Sequence, residues 1–536
     1  MTSQTSTPAI APERLSELEE IVGSDRVLTS EPDRLAYNAD CSPQGIIRAR
    51  GRRLDEHQPA AIVQPAHEGD VVELVGWARR TDTALVAYGA GSGVCLGAVG
   101  DRDSVIVDLK RLDAIKSVDR DNMTVRVGAG IIGQLLEKEL ERRELTMGHF
   151  PSSIYCSSLG GYLAARSAGQ MSSRYGKIED MVASVRVVTG AGEVIETAPD
   201  PADERPRAEL GEAGPNPTQL FVGSEGTLGL ITEATLDIEP TPNHRYYRGF
   251  QFSDLESGLE GIRRMMQAGV RPSVVRLYDP NDTFFKGSSE GVSSGDGNLL
   301  EQMARVAQQR LPQGWIELIE EAVDEARDAA AGAVLGRPRL VNGFLDQVAR
   351  KSFMIVGFEG TSTLVEEEAD WAFEMLGRYG IDVGAEPGFS WMRHRYDTSY
   401  LQSPVFDTGL FVDTMEVSTT WDNLQNLYRA VRRALSPHVV PLAHFSHVYP
   451  EGSSIYFTFV GHAPDVDGTL ELHERTWHDA LEACAEAGGS ITHHHGVGAL
   501  KAAWSGRDHV GGEAHFEALK ETFDPDGILN PGKVYD

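Results

Sequence analysis

Long apolar runs are missing from this chain. No stretch of its 536 residues approaches the roughly 20 consecutive apolar residues a membrane-spanning helix needs. The opening MTSQTSTPAIAPERLSELEEIVG has neither a basic leader nor an apolar segment, so no secretory signal is expected. Cysteine is scarce. Cys41, Cys95, Cys156 and Cys484 stand far apart without C-x-x-C spacing, which argues against a disulfide framework and against a thiolate metal site. Positive charge is also in deficit: Lys and Arg total 49 against 80 Asp and Glu, a formal net charge of −31. Such a field repels phosphate backbones and anionic lipid, so neither nucleic acid nor electrostatic docking on a membrane is expected. A local basic pocket for a small anion stays compatible with it. The cytoplasm is the expected compartment.

What the chain does contain is enough apolar material for a core and more length than one core uses, since single cores stop growing at roughly 250–300 residues. Residues 13–23 predict a short helix ended by glycine. From about residue 58, short β-rich runs (AAIVQP, ALVAYGAGSG, SVIVDLKRL, MTVRVGAG) alternate with helical stretches such as DVVELVGWARRT, which predicts an α+β or α/β domain. MVASVRVVTGAGEVIET (181–197) predicts a hairpin turning at GAG. The polar, Pro-rich run 198–217 predicts an exposed loop, and the strand LGLITEATLDIEP closes the first domain near Pro240. Beyond it, strands such as YRGFQFS and KSFMIVGFEG alternate with long helices, among them WIELIEEAVDEARDAAAGAV; KGSSEGVSSGDGN (286–298) predicts a loop.

VRVGAGIIGQLLEKEL runs from a strand into an amphipathic helix through Gly128, Gly130 and Gly133, which spells G-x-G-x-x-G. A dinucleotide fingerprint also needs an acid about 20 residues on, to grip a ribose hydroxyl. Counting on from Gly133 lands in HFPSSIYCSS, which has none. The motif therefore predicts a strand-to-helix turn that needs small residues. Three other segments fit together better. Gly89-Ala90-Gly91-Ser92-Gly93 is a glycine-dense turn after a strand, and consecutive backbone N–H groups in such a turn form a nest for a diphosphate. PSSIYCSSLGGYLAARSAGQMSSRYGKIED (151–180) and VGSEGTLGLITEATLDIEP (222–240) add paired glycines and hydroxyl donors.

In this order these segments resemble the flavoproteins of the vanillyl-alcohol oxidase / p-cresol methylhydroxylase (PCMH) superfamily, over about residues 56–240 and the C-terminal end. The resemblance implies an α+β fold. An N-terminal helical segment (1–55) would precede a two-subdomain PCMH-type FAD-binding domain (56–240). An antiparallel-sheet substrate cap domain (241–485) would follow, then a C-terminal segment (486–536) completing the active site and the FAD domain. It implies FAD contacts at Gly89, Ala90, Gly91, Ser92 and Gly93. Further contacts would come from Pro151, Ser153, Ser157, Gly160, Gly161 and Arg166, and from Glu225, Gly226, Thr227, Gly229 and Ile231. Neither Cys95 nor Cys156 stands in an attachment pattern of the covalent members, so the FAD is expected to be non-covalent.

ITHHHGVGALKAAW (491–504) resembles the triple-histidine segment of alkylglycerone-phosphate synthases, the flavoenzymes that make the ether bond of ether lipids. RPSVVRLYD matches that family's R-L-x-D element and nominates Arg276; GSSIYFTF matches its tyrosine-bearing segment and nominates Tyr456. If 493–495 were a strand, only His493 and His495 would share a face. One departure is Gln402, which stands where that family has a phosphate-binding arginine. A neutral amide cannot replace a bidentate guanidinium, so either Arg276, Arg393 or Arg395 serves instead, or the substrate lacks a phosphate. The alternative branch is the FAD-dependent D-2-hydroxyacid (D-lactate or glycolate type) dehydrogenases and oxidases, whose members bind a metal ion through two imidazoles and a carboxylate. His447 could fill the first place, but Tyr456 and His494 stand in the others, and a neutral nitrogen in place of an anionic oxygen weakens a hard-cation site. No metal is expected.

The expected chemistry is an FAD-dependent oxidoreductase or transferase step. Flavin N5 engages a carbon bearing a hydroxyl or carbonyl of a small or lipid-derived substrate. His493, His494 and His495 act as acid/base, Tyr456 as proton donor or acceptor, and Arg276 as the anion or flavin partner. A catalytically silent flavin-binding module and an acidic scaffold without cofactor are the non-enzymatic alternatives. The assembly is left open, a homodimer included.

Overall fold

The computed structural model describes residues 10–53, 57–197, 214–287, 335–397, 406, 410–509 and 511–535. The expected helix WIELIEEAVDEARDAAAGAV and Gln402 lie outside the described residues, as do most of the expected loops 198–217 and 286–298. The chain divides into two compact units. One comprises Met1–Gly169, Tyr175–Thr241 and Thr492–Asp536; the other comprises Gln170–Arg174 and Pro242–Ile491.

The first unit is built on two main sheets among the described residues. In the first, the strands run in the order Val27–Leu28, Ala61–Val63, Val105–Asp108, Leu85–Tyr88, the last three parallel. The helix Glu68–Thr81 connects two of these parallel strands. It buries Val71, Leu74, Val75, Trp77 and Ala78, the i, i+3, i+4, i+7 stripe of a helix lying on a sheet. Its start is fixed by Asp70, whose carboxylate accepts from the N–H of Ala66 (2.8 Å) and His67 (3.2 Å). The second sheet is antiparallel, in the order Ile115–Asp119, Thr124–Gly128, Gly229–Asp237, Val182–Thr189, Val194–Glu196. The hairpin read from GAG is present, with Val188 opposite Val194. The C-terminal tail adds to the first sheet: Leu529 pairs parallel with Leu85, Leu85 N–H donates to Ile528 O (2.8 Å), and Asn530 N–H donates to Leu85 O (2.8 Å).

The second unit is an antiparallel sheet in the order Ile381–Asp382, His244–Phe252, Ser352–Gly360, Val274–Tyr278, Val440–Phe445, Gly452–His462, Leu410–Thr420. Alternation sorts its residues into two faces. On one face Leu277, Phe445, Phe457, Phe459 and Met415 are fully buried. The helices Leu255–Gln267, Leu424–Leu435 and Val466–Glu486 lie against that face: Gly258 abuts Leu277, Tyr428 stacks on Phe457 at 6.1 Å, and Trp477 meets Phe459 edge-on at 6.4 Å. The other face carries the polar row described below. Gln170–Arg174 belongs to this unit although its sequence neighbours on both sides belong to the first. Ser172 Oγ bonds His447 Nδ1 (2.8 Å), and Ser173 Oγ accepts from Val448 N–H (3.3 Å). Buried hydroxyls need partners, and these two find theirs on the strand connection 445–452.

Candidate active site

The G-x-G-x-x-G motif is used entirely for packing. A Cβ on Gly128 would overlap the carbonyl of Leu112, one on Gly130 that of Leu109, and one on Gly133 the hydroxyl of Tyr162. Small residues there let strand, loop and helix close. Ala129 O then accepts from Gly160 N–H (2.7 Å), and Ile131 O from Leu159 N–H (2.9 Å). The motif thus seats the 151–161 segment.

The first unit brings the three glycine-rich segments together. A Cβ on Gly89 would overlap Ser158 Oγ, and one on Gly226 would come within 2.9 Å of Ala87 Cβ. Gly91 adopts φ +68°, a conformation costly for other residues. Among the described residues, the N–H groups of Ala90, Gly91, Ser92 and Gly93 donate to no other protein group. Unspent, closely spaced amides in a turn are what an anionic diphosphate requires, so the segment fits the phosphate moiety of FAD. Pro151 O accepts from Ile154 N–H (3.1 Å), and Ser157 Oγ bonds Ser153 O (2.6 Å) and Tyr162 OH (2.7 Å). Gly161 N–H donates to Ser158 Oγ (3.3 Å), Thr227 Oγ1 donates to Ser224 O (2.6 Å), and Gly229 and Ile231 open the central strand of the second sheet. Arg166 takes φ +52°, and its Nε donates to Val222 O (3.2 Å), which engages the guanidinium with protein.

Glu225 is the most constrained of the nominated residues. Its backbone sits at φ +51°, its N–H donates to Ala164 O (3.1 Å), and its carbonyl accepts from Asn530 Nδ2 (2.6 Å). Its carboxylate accepts from the N–H of Val497 (2.5 Å) and Gly498 (2.8 Å). Burial raises its pKa, against the pull of those two amides and of the Lys501 and Lys533 charges. Gly498, at φ +57°, packs where a side chain would overlap Cys95 O.

The histidine trio precedes this clip. His493–His495 form bends, not a strand, so strand alternation does not apply to them. His493 Nδ1 lies 3.0 Å from His494 Nδ1, and the His494 ring meets those of His493 (5.2 Å) and His495 (4.5 Å) edge-on. Glycines at positive φ (Gly496 at +78°, Gly498 at +57°) follow at once and prevent an extended chain.

In the second unit, Tyr278, His444, Tyr456 and Glu416 face one another across four strands: Tyr278 opposes His444, His444 opposes Tyr456, and Tyr456 opposes Glu416. Arg276, two residues before Tyr278, shares the face, its guanidinium carbon 5.5 Å from the Tyr278 ring centre. His444 stacks on Tyr456 at 4.7 Å, tilted by 23°, and its Nδ1 is 3.9 Å from the Asp282 carboxylate. Burial raises the Tyr456 phenol above its usual 10; a hydrogen bond with Thr414 and the Arg276 charge oppose this, and Asp413 and Glu416 reinforce it. Sequence reasoning nominated Tyr456 and Arg276 but not their neighbours on this face, His444 and Glu416, nor Asp282 beside His444. HFSH offered a signal for His444, but the strand register that pairs it with Tyr456 is not a sequence property. Of the alternative cations, Arg393 is ion-paired with Glu386 (2.6 Å), and Arg395 donates from Nη2 to Tyr396 OH (3.0 Å). Cys41 and Cys156 are exposed free thiols; local desolvation raises both, Cys41 to about 11, which leaves little thiolate at neutral pH.

Comparison with known proteins gives two family matches. Residues 59–198 match the family described as FAD binding domain, and residues 241–534 match FAD linked oxidases, C-terminal domain. Alkyldihydroxyacetonephosphate synthase of Dictyostelium discoideum is 29% identical over 98% of this chain and 81% of its own length. A solved alkyldihydroxyacetonephosphate synthase superposes with a TM-score of 0.73 at 26% identity, covering 99% of this chain and 87% of that one. p-Cresol methylhydroxylase, at 15% identity, shares the fold with a TM-score of 0.72 over 98% of this chain and 96% of its own.

Proposed function

The chain belongs to the FAD-linked oxidases and is an FAD-dependent enzyme, and we propose that within this family it works as an alkyldihydroxyacetonephosphate-synthase-like catalyst on a small or lipid-derived substrate. The carrying observation is the polar row of the second unit, in which Tyr456 stands between His444 and Glu416 with Arg276 on the same face.

When bound, FAD supplies an electrophilic ring nitrogen that takes up a hydride or a carbon centre. The chain's own residues do the rest. The amides of Ala90–Gly93 hold the diphosphate, and the flavin is bound non-covalently. Tyr456, kept protonated by its surroundings, donates a proton to a substrate oxygen, and Arg276 holds a substrate anion. The histidines of 493–495, in the first unit, are suited to exchange a proton near neutral pH.

Anaerobic mixing of the purified yellow protein with acyl-glycerone phosphates, 2-hydroxyacids and simple alcohols tests this reading. Bleaching of the flavin by the acyl-glycerone phosphates alone supports it. Bleaching by 2-hydroxyacids alone would transfer the protein to the hydroxyacid dehydrogenase branch.

A further inference from the structure

We propose that Glu225 is a positioning residue for the histidine bend rather than a contact of the flavin. The inference rests on the acid–base role proposed above for His493–His495. Both carboxylate oxygens of Glu225 are used by main chain: Oε1 accepts from Val497 N–H (2.5 Å) and Oε2 from Gly498 N–H (2.8 Å). Those amides follow the trio after the single residue Gly496. The bend has no ladder of its own to hold it, since 493–497 lies outside helix and strand. A carboxylate accepting two adjacent amides is a strong, charge-assisted restraint on such a loop.

The restraint is itself anchored on three sides. Glu225 N–H donates to Ala164 O (3.1 Å), Asn530 Nδ2 donates to Glu225 O (2.6 Å), and a buried glutamate side chain is tolerated beside Lys501 and Lys533. The left-handed backbone at Glu225 (φ +51°) is costly for a non-glycine residue. Glycine would adopt it more easily but could not clip the bend. That exchange of backbone ease for a carboxylate is the mark of a side chain kept for a task.

The test uses the FAD-loaded protein with Glu225→Gln and Glu225→Ala. Glutamine keeps one acceptor oxygen and turns an amide toward the second N–H, so it is expected to fall between wild type and alanine. In both variants, flavin content should stay near wild type. Hydrogen exchange in peptides covering 493–500 should accelerate by roughly tenfold or more in Glu225→Ala as both amides lose their acceptor, and by a smaller factor in Glu225→Gln. kcat should fall by about tenfold or more while KM changes by less than about threefold, the signature of misplaced chemistry with intact binding. Loss of flavin from Glu225→Gln, or unchanged exchange at 493–500, would overturn the proposal. If Glu225→Ala does not fold, Glu225→Gln decides alone. The exchange measurement needs no substrate, so it stands even if none of the compounds above bleaches the flavin.

Discussion

His444 lies face to face with Tyr456, ring centres 4.7 Å apart and planes tilted by 23°, with the Asp282 carboxylate 3.9 Å from its Nδ1. The arrangement arises because strands Val440–Phe445 and Gly452–His462 place these residues directly opposite each other, and cross-strand neighbours on one face must pack or repel. An aromatic phenol meets an imidazole there, and the imidazole has an acid behind it.

Replacing Tyr456 with phenylalanine is expected to leave the fold and flavin content intact and to lower turnover by about 100-fold or more, the ordinary scale of a positioned proton donor. His444→Phe, which keeps an aromatic face against Tyr456 but no ring nitrogen, should cost about tenfold. Single-turnover flavin bleaching reads both. Turnover undiminished in Tyr456→Phe would remove the tyrosine from the chemistry.

Gly130→Ala should destabilise the first unit by about 3 kcal/mol or more, because the new methyl would be driven into the Leu109 carbonyl with no flexible side chain to yield. Denaturant midpoints measure this. The same protein should show no affinity for NAD in equilibrium dialysis, since the glycines of that motif face protein atoms.

Glu137 supplies a pH dependence. Its carboxylate accepts from Thr146 Oγ1 (2.9 Å) and Met147 N–H (3.0 Å), and burial lifts its pKa from 4.5 to about 7. The folded state therefore holds this proton to higher pH than the unfolded chain does. The stabilisation is complete below about 4.5 and is lost as pH rises through about 7, a loss of up to about 3 kcal/mol. Glu137→Gln can accept from Met147 and donate to Thr146, so its unfolding free energy should lack this decline between those pH values. Parallel decline in the variant and the wild type would show that another group is responsible.

Acid precipitation should release the yellow colour into the supernatant, because the thiols of Cys41 and Cys156, beside the glycine-rich segments, are raised toward the unreactive protonated form. A yellow pellet would demonstrate a covalent bond instead.

Local chemistry was legible from the chain alone. The glycine-dense turn at Gly89–Gly93, the GAG hairpin and the helix over 68–81 are each encoded within a few residues, through backbone freedom, turn chemistry and apolar spacing. The family was legible too, because its motifs are short and their order is preserved. Tertiary structure alone decided which distant groups meet. It set Leu529 beside Leu85, turned the Glu225 carboxylate onto Val497 and Gly498, drew Ser172 to His447 and stacked His444 on Tyr456. These pairings depend on strand register and on the need of buried polar groups for partners. Both are satisfied only once the chain has closed, and neither leaves a periodic signal in the order of residues.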